Sequence, residues 1–340
     1  MTTAIITGLI VGIIFGFVMQ RGRFCMNSAI RDTVLLQDFT LLKSVGAAIL
    51  VSMAGFAIMS AAGIITINPK PSFGWANLVG SFVFGIGMVV AGGCASGITY
   101  RVGEGMMGAL AAVIGLATTG TLTAMGFLKP IMVSLRTPEA TNPTLASVLG
   151  MQYWVLALII AILAVLIWYM MARKNGDDDD LATDTSVPFF KRTWNWLVTG
   201  IAIGIVNIIS FPISAAAGRN YPLGITAGWI QWVKVVILRV EGQAVNWIAA
   251  MVLGIVIGAL IGALLSGEFK FRFPKPAMIG QAFLGGLIMG FGAVTSGGCN
   301  ITHILSGIPQ LGIGSFVAAI SIVLGAWVTA YLIFVRPQKA

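Results

Sequence analysis

The sequence predicts an all-α polytopic membrane protein built from two related halves. Its composition, a succession of apolar runs of membrane-crossing length, and a displaced copy of one glycine–cysteine pattern carry that reading. Of 340 residues, 58% are hydrophobic and 9% charged, and the mean hydropathy is +0.96. A soluble domain carries about 25% charged residues because water must solvate its surface. A chain this poor in charge has apolar solvent around it. Glycine is abundant, at 43 residues, as expected where helices pack closely in lipid or break at membrane depth. The net charge of +9 does not indicate nucleic acid, since the basic residues sit at the ends of apolar runs and form no patch on a soluble surface.

A crossing takes about 20 mostly apolar residues. On that measure about nine transmembrane helices are expected, at 3–20, 41–66, 74–92, 105–125, 149–171, 194–212, 244–266, 278–296 and 311–335. The first run has no basic region ahead of it and no small-residue cleavage site behind it, so it reads as a retained span. Apolar pieces at 24–36, 94–103, 223–239 and 299–308 are too short to cross, and each follows or contains a glycine or proline break. They read as four short re-entrant helices, because irregular backbone survives at membrane depth only when buried in protein or lining a wet cavity. The hydrophilic segment Arg173–Arg192, with Asp177 to Asp180 and Pro188, reads as a solvated linker. It divides the chain into a first membrane repeat with an extra linking span (1–172), the linker (173–192) and a second repeat (193–340). With nine spans, 14 of the 20 Lys and Arg residues fall on the side that holds the C-terminus. The positive-inside rule then places the N-terminus outside and the C-terminus in the cytoplasm.

Shifting the sequence by 205 residues lays Gly80, Gly85, Gly87, Gly92, Gly93 and Cys94 on Gly285, Gly290, Gly292, Gly297, Gly298 and Cys299. A shift of 196 lays Gly8, Gly22 and Arg23 on Gly204, Gly218 and Arg219, while Cys25 falls on Tyr221. The first four spans thus correspond to the last four. The odd fifth span between them inverts the second unit, the plan of transport proteins whose solute site lies where broken helices meet.

The three cysteines each sit at or beside a predicted break: Cys25 in Gly-Arg-Phe-Cys, and Cys94 and Cys299 after Gly-Gly. An odd number without a CxxC spacing argues against a disulfide framework. A buried membrane cysteine is ordinarily a small apolar filler. At a glycine break, however, the backbone turns sharply and approaches a passing solute closely. A following half-helix points its amides at that solute, which favours an anion, and thiols suit a soft one. Arg23, Arg31, Asp32, Arg101, Glu104, Arg219 and the one histidine, His303, lie near the breaks. Ionisable groups at membrane depth are functional candidates. The structural alternatives are an i,i+3 ion pair between Arg101 and Glu104, surface anchoring by Arg23 and Arg31, and a hydrogen-bonded packing role for His303.

The stretches Val-Met-Gln-Arg-Gly-Arg-Phe-Cys (18–25), Ala-Gly-Gly-Cys-Ala-Ser-Gly (91–97), Tyr-Arg-Val-Gly-Glu-Gly (100–105), Gly-Phe-Gly-Ala through Gly-Gly-Cys (290–299) and Val-Arg-Pro-Gln (335–338) resemble the YeeE/YedE family over essentially the whole chain. YeeE-type members are bacterial thiosulfate uptake proteins. The resemblance implies an hourglass-shaped protein of the bacterial cytoplasmic (inner) membrane. Thiosulfate would pass Cys25, Cys94 and Cys299 in turn, one of them at the waist, and a small TusA-like sulfur-carrier protein would be a cytoplasmic partner. This sequence departs from the pattern after Cys299, where Asn-Ile-Thr-His follows in place of a small residue and glycine. Other family members are associated with different sulfur or selenium species.

The mechanism expected is uptake by weak donors in series: Cys25, Cys94 and Cys299 bind the anion, aided by Arg101 and Glu104, with Cys94 and Cys299 as the repeat-related pair. A neutral S–H donates a weak hydrogen bond, and weak sites let the solute leave. One rival is a membrane thiol redox enzyme, which usually carries a CxxC that is absent here. Another is a soft-metal permease drawing on the 16 methionines, which form no repeated cluster. No G-x-x-x-x-G-K-[ST] occurs, so neither a nucleotide nor any other cofactor is expected.

Overall fold

A computed structural model describes residues 2–136, 143–175 and 188–336. The first half contains α1 (Thr2–Arg21), α2 (Met26–Leu35), α3 (Thr40–Ala61), α4 (Trp75–Val90), α5 (Ala95–Gly103) and α6 (Met107–Met125). Two short helices, α7 (Lys129–Leu135) and α8 (Leu145–Val148), and the long α9 (Tyr153–Asn175) follow. The second half contains α10 (Trp196–Ala216), α11 (Thr226–Trp232, continued by a π-helical turn Val233–Ile237), α12 (Trp247–Leu265), α13 (Pro276–Ser296), a π-helical segment Ile301–Gly307 and α14 (Ile313–Ala330, continued as π-helix to Val335).

Every span expected from the sequence is a helix near its expected bounds, and the four short pieces are α2, α5, α11 and Ile301–Gly307. At about 1.5 Å per residue, none of these four covers a 30 Å hydrocarbon core. Among the described residues, eight stretches are long and apolar enough to cross, those built on α1, α3, α4, α6, α10, α12, α13 and α14. The protein is therefore an all-α, multi-pass membrane protein. The fifth expected span is α9, whose apolar stretch is Tyr153–Trp168. It begins four residues late because Gly150, at φ 66°, turns the chain out of α8. Neither α7 nor α8 was expected, being too short to show a period. Most of the hydrophilic linker, with Asp177 to Asp180, lies outside the described residues, as do the last two residues of the 335–338 motif.

Small residues set how closely the spans approach. Gly8, Gly12 and Gly16 form one stripe of α1 against the carbonyls of Trp247, Met251 and Ile255, and Gly254 and Gly258 of α12 return the contact onto Leu9 and Ile13. Between helices in lipid there is little hydrophobic drive, so close backbone packing of this kind carries the association. The helix contacts are matched between the halves. Helix α1 lies on α12 while its counterpart α10 lies on α3, and α6 lies on α13 while α14 lies on α4. At the centre α4 meets its own counterpart α13. A side chain at Gly87 would run into Gly285 and Met289, and one at Gly292 would run into Gly80 and Phe84, the positions exchanged by the 205-residue shift. Gly80 faces Gly292 and Ser296 whereas Gly87 faces Gly285, so the two counterparts run antiparallel. Helix α9 stands outside this arrangement, packing on α3 with Ile162, Leu163, Val165, Leu166 and Ile167 exposed.

A polar cluster ties the halves at one end. Arg21, fully buried, reaches the Lys191 carbonyl (2.7 Å), Ser266 Oγ (2.8 Å) and Glu268 Oε2 (2.7 Å). Gln20 Nε2 donates to both Glu268 Oε2 (2.8 Å) and Glu104 Oε1 (3.2 Å), and Arg23 pairs with Glu268 Oε1 at 2.7 Å.

Overpacking a close helix contact costs about 1–3 kcal/mol. Gly87→Leu is therefore expected to lower the melting temperature and folded yield of detergent-solubilised protein, whereas Gly280→Leu, where nothing lies within reach of a new side chain, leaves both unchanged.

Candidate functional site

The chain turns three times onto a cysteine. Cys25 precedes α2 and Cys94 precedes α5, each in extended backbone as the residue before the first turn. Cys299 follows Gly297, at φ 87°, and leads into Ile301–Gly307. All three thiols are free and buried. The two that meet are Cys25 and Cys94, Sγ to Sγ 3.8 Å. Cys94 Sγ also accepts from the Gly97 amide (3.3 Å) and lies 3.4 Å from Ser96 Oγ. Gly97 leaves room for this pair, since a Cβ there would lie 2.7 Å from Cys25 Sγ. Cys299 stands apart from them, with Sγ 3.7 Å from Thr302 Oγ1.

Cys94 and Cys299 are the pair related by the 205-residue shift, while the pair in contact is Cys25 and Cys94, whose half-helices α2 and α5 start side by side. The corresponding place in the second half holds Tyr221, buried, with its hydroxyl donating to the Thr302 carbonyl at 2.8 Å. The two thiol stations are linked through their neighbours, Asn300 Nδ2 lying 3.0 Å from Met26 Sδ.

A basic cavity lies at each end of this buried chain. One, about 340 Å³, reaches Gly297, Gly298 and Thr302 beside Cys299 and is lined by Lys70, Arg136, Arg219 and Lys234. The other, about 690 Å³, reaches Gly92 and Ile98 beside Cys94 and is lined by Arg31, Arg101 and Arg272, with Phe273, Met278 and Phe334. The first touches Ala293 and Val294 near the C-terminal end of α13, and the second touches Met278 and Ala282 near its N-terminal end. The cavities therefore open toward opposite ends of a span. Among the described residues no acidic side chain lines either one.

The predicted ionisable residues divide between these places. Arg101 Nη1 donates to the Gly92 carbonyl at 2.8 Å, two residues before Cys94, and does not pair with Glu104. Glu104 belongs to the Gln20 cluster and lines neither cavity. Arg219 is buried against the rings of Tyr221 and Trp247 and donates to the Tyr221 (2.6 Å) and Pro222 carbonyls. Arg31 pairs with Asp32 at 2.7 Å, and Arg23 is half-exposed. His303 is buried with Nδ1 3.4 Å from Ser315 Oγ. Among the described residues no three His, Cys, Asp or Glu side chains gather into a metal-holding group.

Lys70 and Arg136 counted in the sequence reading only as loop charges. They reach the Cys299 cavity because Lys70 lies 4.5 Å over the Tyr221 ring and Arg136 lies 4.0 Å over the Phe73 ring. The sequence signal for Tyr221 was its alignment with Cys25.

The family described as sulphur transport matches residues 21–328. Thiosulfate transporter TsuA of Spirochaeta thermophila is 41% identical over 344 residues, covering 97% of this chain and 99% of that protein. Thiosulfate transporter TsuA of Escherichia coli is 30% identical over 346 residues, covering 100% of this chain and 97% of that protein. The probable transporter YedE of Escherichia coli is 35% identical over 99 residues, 28% of this chain. With matches of this extent, the chain belongs to the sulphur transport family and is a membrane transporter rather than an enzyme.

Proposed function

We propose that this protein takes up thiosulfate across the bacterial cytoplasmic membrane. The anion would move from the Lys70–Arg136–Arg219 cavity past Cys299, then past Cys25 and Cys94, into the Arg31–Arg101–Arg272 cavity. The observation that carries this reading is the pair of cavities at opposite ends of α13, each lined by at least three basic side chains and each closing on a Gly-Gly-Cys turn. Relatives named thiosulfate transporters, similar over the full length, supply the substrate. A cavity lined by one sign of charge concentrates its counter-ion before the solute meets the apolar interior. Beyond it, neutral S–H groups offer weak hydrogen bonds to a dianion, and weak serial sites let it leave as readily as it binds. In this reading Arg101 serves the inner cavity, and Glu104 anchors the turn after α5 through Gln20 without touching the anion.

The positive-inside count gives the direction. It sets the Lys70 cavity outside, the Arg272 cavity in the cytoplasm, the N-terminus outside and the C-terminus inside. Residues 1–172 and 193–340 would then be the two membrane repeats, joined by the linker 173–192. A small TusA-like sulfur carrier would receive the anion at the cytoplasmic cavity.

A hydrogen bond to a charged group is worth about 1.5–3 kcal/mol, or about ten- to a hundredfold in occupancy. Cys25→Ala, Cys94→Ala and Cys299→Ala are each expected to lower thiosulfate uptake into proteoliposomes by that order while the protein stays folded, with sulfate, sulfite and selenite as competitors. Full uptake in all three variants contradicts the thiol path.

Lys70, in the loop before α4, has its pKa lowered to about 8 by burial and then by the Arg219 charge. Its charge is present below that pH and lost above it. Across a cavity open to water a charge interaction is screened to about 0.2–1 kcal/mol, so the half-saturation concentration is expected to rise by about 1.5- to fivefold between pH 7 and 9. Lys70→Arg should abolish that rise, and an unchanged pH profile in Lys70→Arg contradicts the role of Lys70.

A further inference from the structure

Two asparagines next to the thiols are fully buried and incompletely bonded. Asn27, two residues after Cys25 in the first turn of α2, has neither its amide nitrogen nor its oxygen in a hydrogen bond. Asn300, directly after Cys299, gives its nitrogen to the Met26 sulfur at 3.0 Å and has its oxygen unbonded. A thioether is a weak acceptor, so three of the four amide atoms lack a partner and the fourth has a poor one. Buried amides in native proteins are nearly always satisfied, and leaving them unpaired is costly.

The fold does not require them. Under the 196-residue shift Asn27 falls on Leu223, and under the 205-residue shift Asn300 falls on Ala95. Each half therefore packs the equivalent place with an apolar side chain. Both amides flank Met26, the residue that joins the Cys25–Cys94 pair to the Cys299 station. An amide carries donor and acceptor at its two ends, and a turn about the last side-chain bond exchanges them.

Thiosulfate has two unlike ends, a soft sulfur and three hard oxygens. Thiols match the first and amide N–H groups match the second. We propose that Asn27 and Asn300 form a subsite for the oxygen-bearing end of the anion, their N–H groups turning to its oxygens while its terminal sulfur lies at the thiols. This deepens the thiosulfate reading and rests on it. The subsite selects for oxyanions of sulfur over hydrosulfide, which has no oxygen to offer.

The test is proteoliposome uptake of radiolabelled thiosulfate by the wild type, Cys94→Ala, Asn27→Leu and Asn300→Ala, with the melting temperature of each variant measured in detergent. The two asparagine substitutions copy the residues that the other half carries at those places. Removing a charge-assisted hydrogen bond is expected to raise the half-saturation concentration about tenfold or more. Because an unsatisfied buried amide is removed, the melting temperature should be unchanged or higher. Asn27→Asp, which keeps the shape but adds negative charge, should lose more uptake than Asn27→Leu. Wild-type half-saturation in both apolar variants overturns the subsite while leaving the thiosulfate reading intact. So does a loss of uptake matched by a fall in melting temperature, which marks a packing role. Absence of thiosulfate uptake by the wild type overturns the thiosulfate reading and the subsite with it.

Discussion

Where α4 and α13 end at the Gly-Gly-Cys turns, their last carbonyls must find donors, and the rest of the structure is arranged around that need. A helix end leaves four carbonyls without partners, and in hydrocarbon each one is expensive. The fold answers with side chains from the opposite half. Gln281 of α13 donates to the Val90 carbonyl at 3.3 Å, and Asn77 of α4 donates to the Ser296 carbonyl at 3.0 Å. Arginines complete the ends, Arg101 at Gly92 (2.8 Å) and Arg136 at Val294 (2.6 Å). Because the counterparts cross antiparallel, each helix lends a donor to the other's broken end. The same two arginines line the two cavities. The groups that make a broken helix tolerable also supply positive charge beside the Gly-Gly-Cys turns.

A symmetric frame thus carries an unsymmetric lining. Close contacts between spans follow the two-fold relation, as the exchange of Gly80 and Gly87 for Gly285 and Gly292 shows. Cys94 and Cys299 follow it too, but their neighbours do not: Cys25 corresponds to Tyr221, Asn27 to Leu223 and Ala95 to Asn300. One half offers two touching thiols and the other a single thiol beside a tyrosine that holds a backbone carbonyl. Packing between halves constrains the frame equally on both sides, while the lining is free to differ where it makes no such contact.

Much of the frame was legible in the sequence because its signals are local. Apolar length marks spans, glycine marks breaks, and a displaced glycine–cysteine pattern marks the repeat. The helix α9 began late because the turn at Gly150 was not read. The site was legible only as a set of residue types. That Cys25 touches Cys94 depends on two half-helices starting side by side, which no spacing encodes. Arg101 and Glu104, three apart in the sequence, read as a possible pair. Each instead satisfies a more demanding neighbour, a freed carbonyl for Arg101 and the Gln20 amide for Glu104. Asn300 was visible only as a departure after Cys299. Its meaning emerges from burial and a missing partner, both properties of the folded chain.

In the proposed route two basic cavities open to opposite sides of the membrane and meet at the buried thiols. Single cysteines placed at Ala227 in one cavity and Gln281 beside the other give the most direct measurement, because both positions are exposed while Cys25, Cys94 and Cys299 are buried. Each variant is treated with a membrane-impermeant thiol reagent in right-side-out and in inverted membrane vesicles. Labelling of Ala227→Cys is expected only in right-side-out vesicles and of Gln281→Cys only in inverted ones. Labelling of both from the same side contradicts a route between opposite faces.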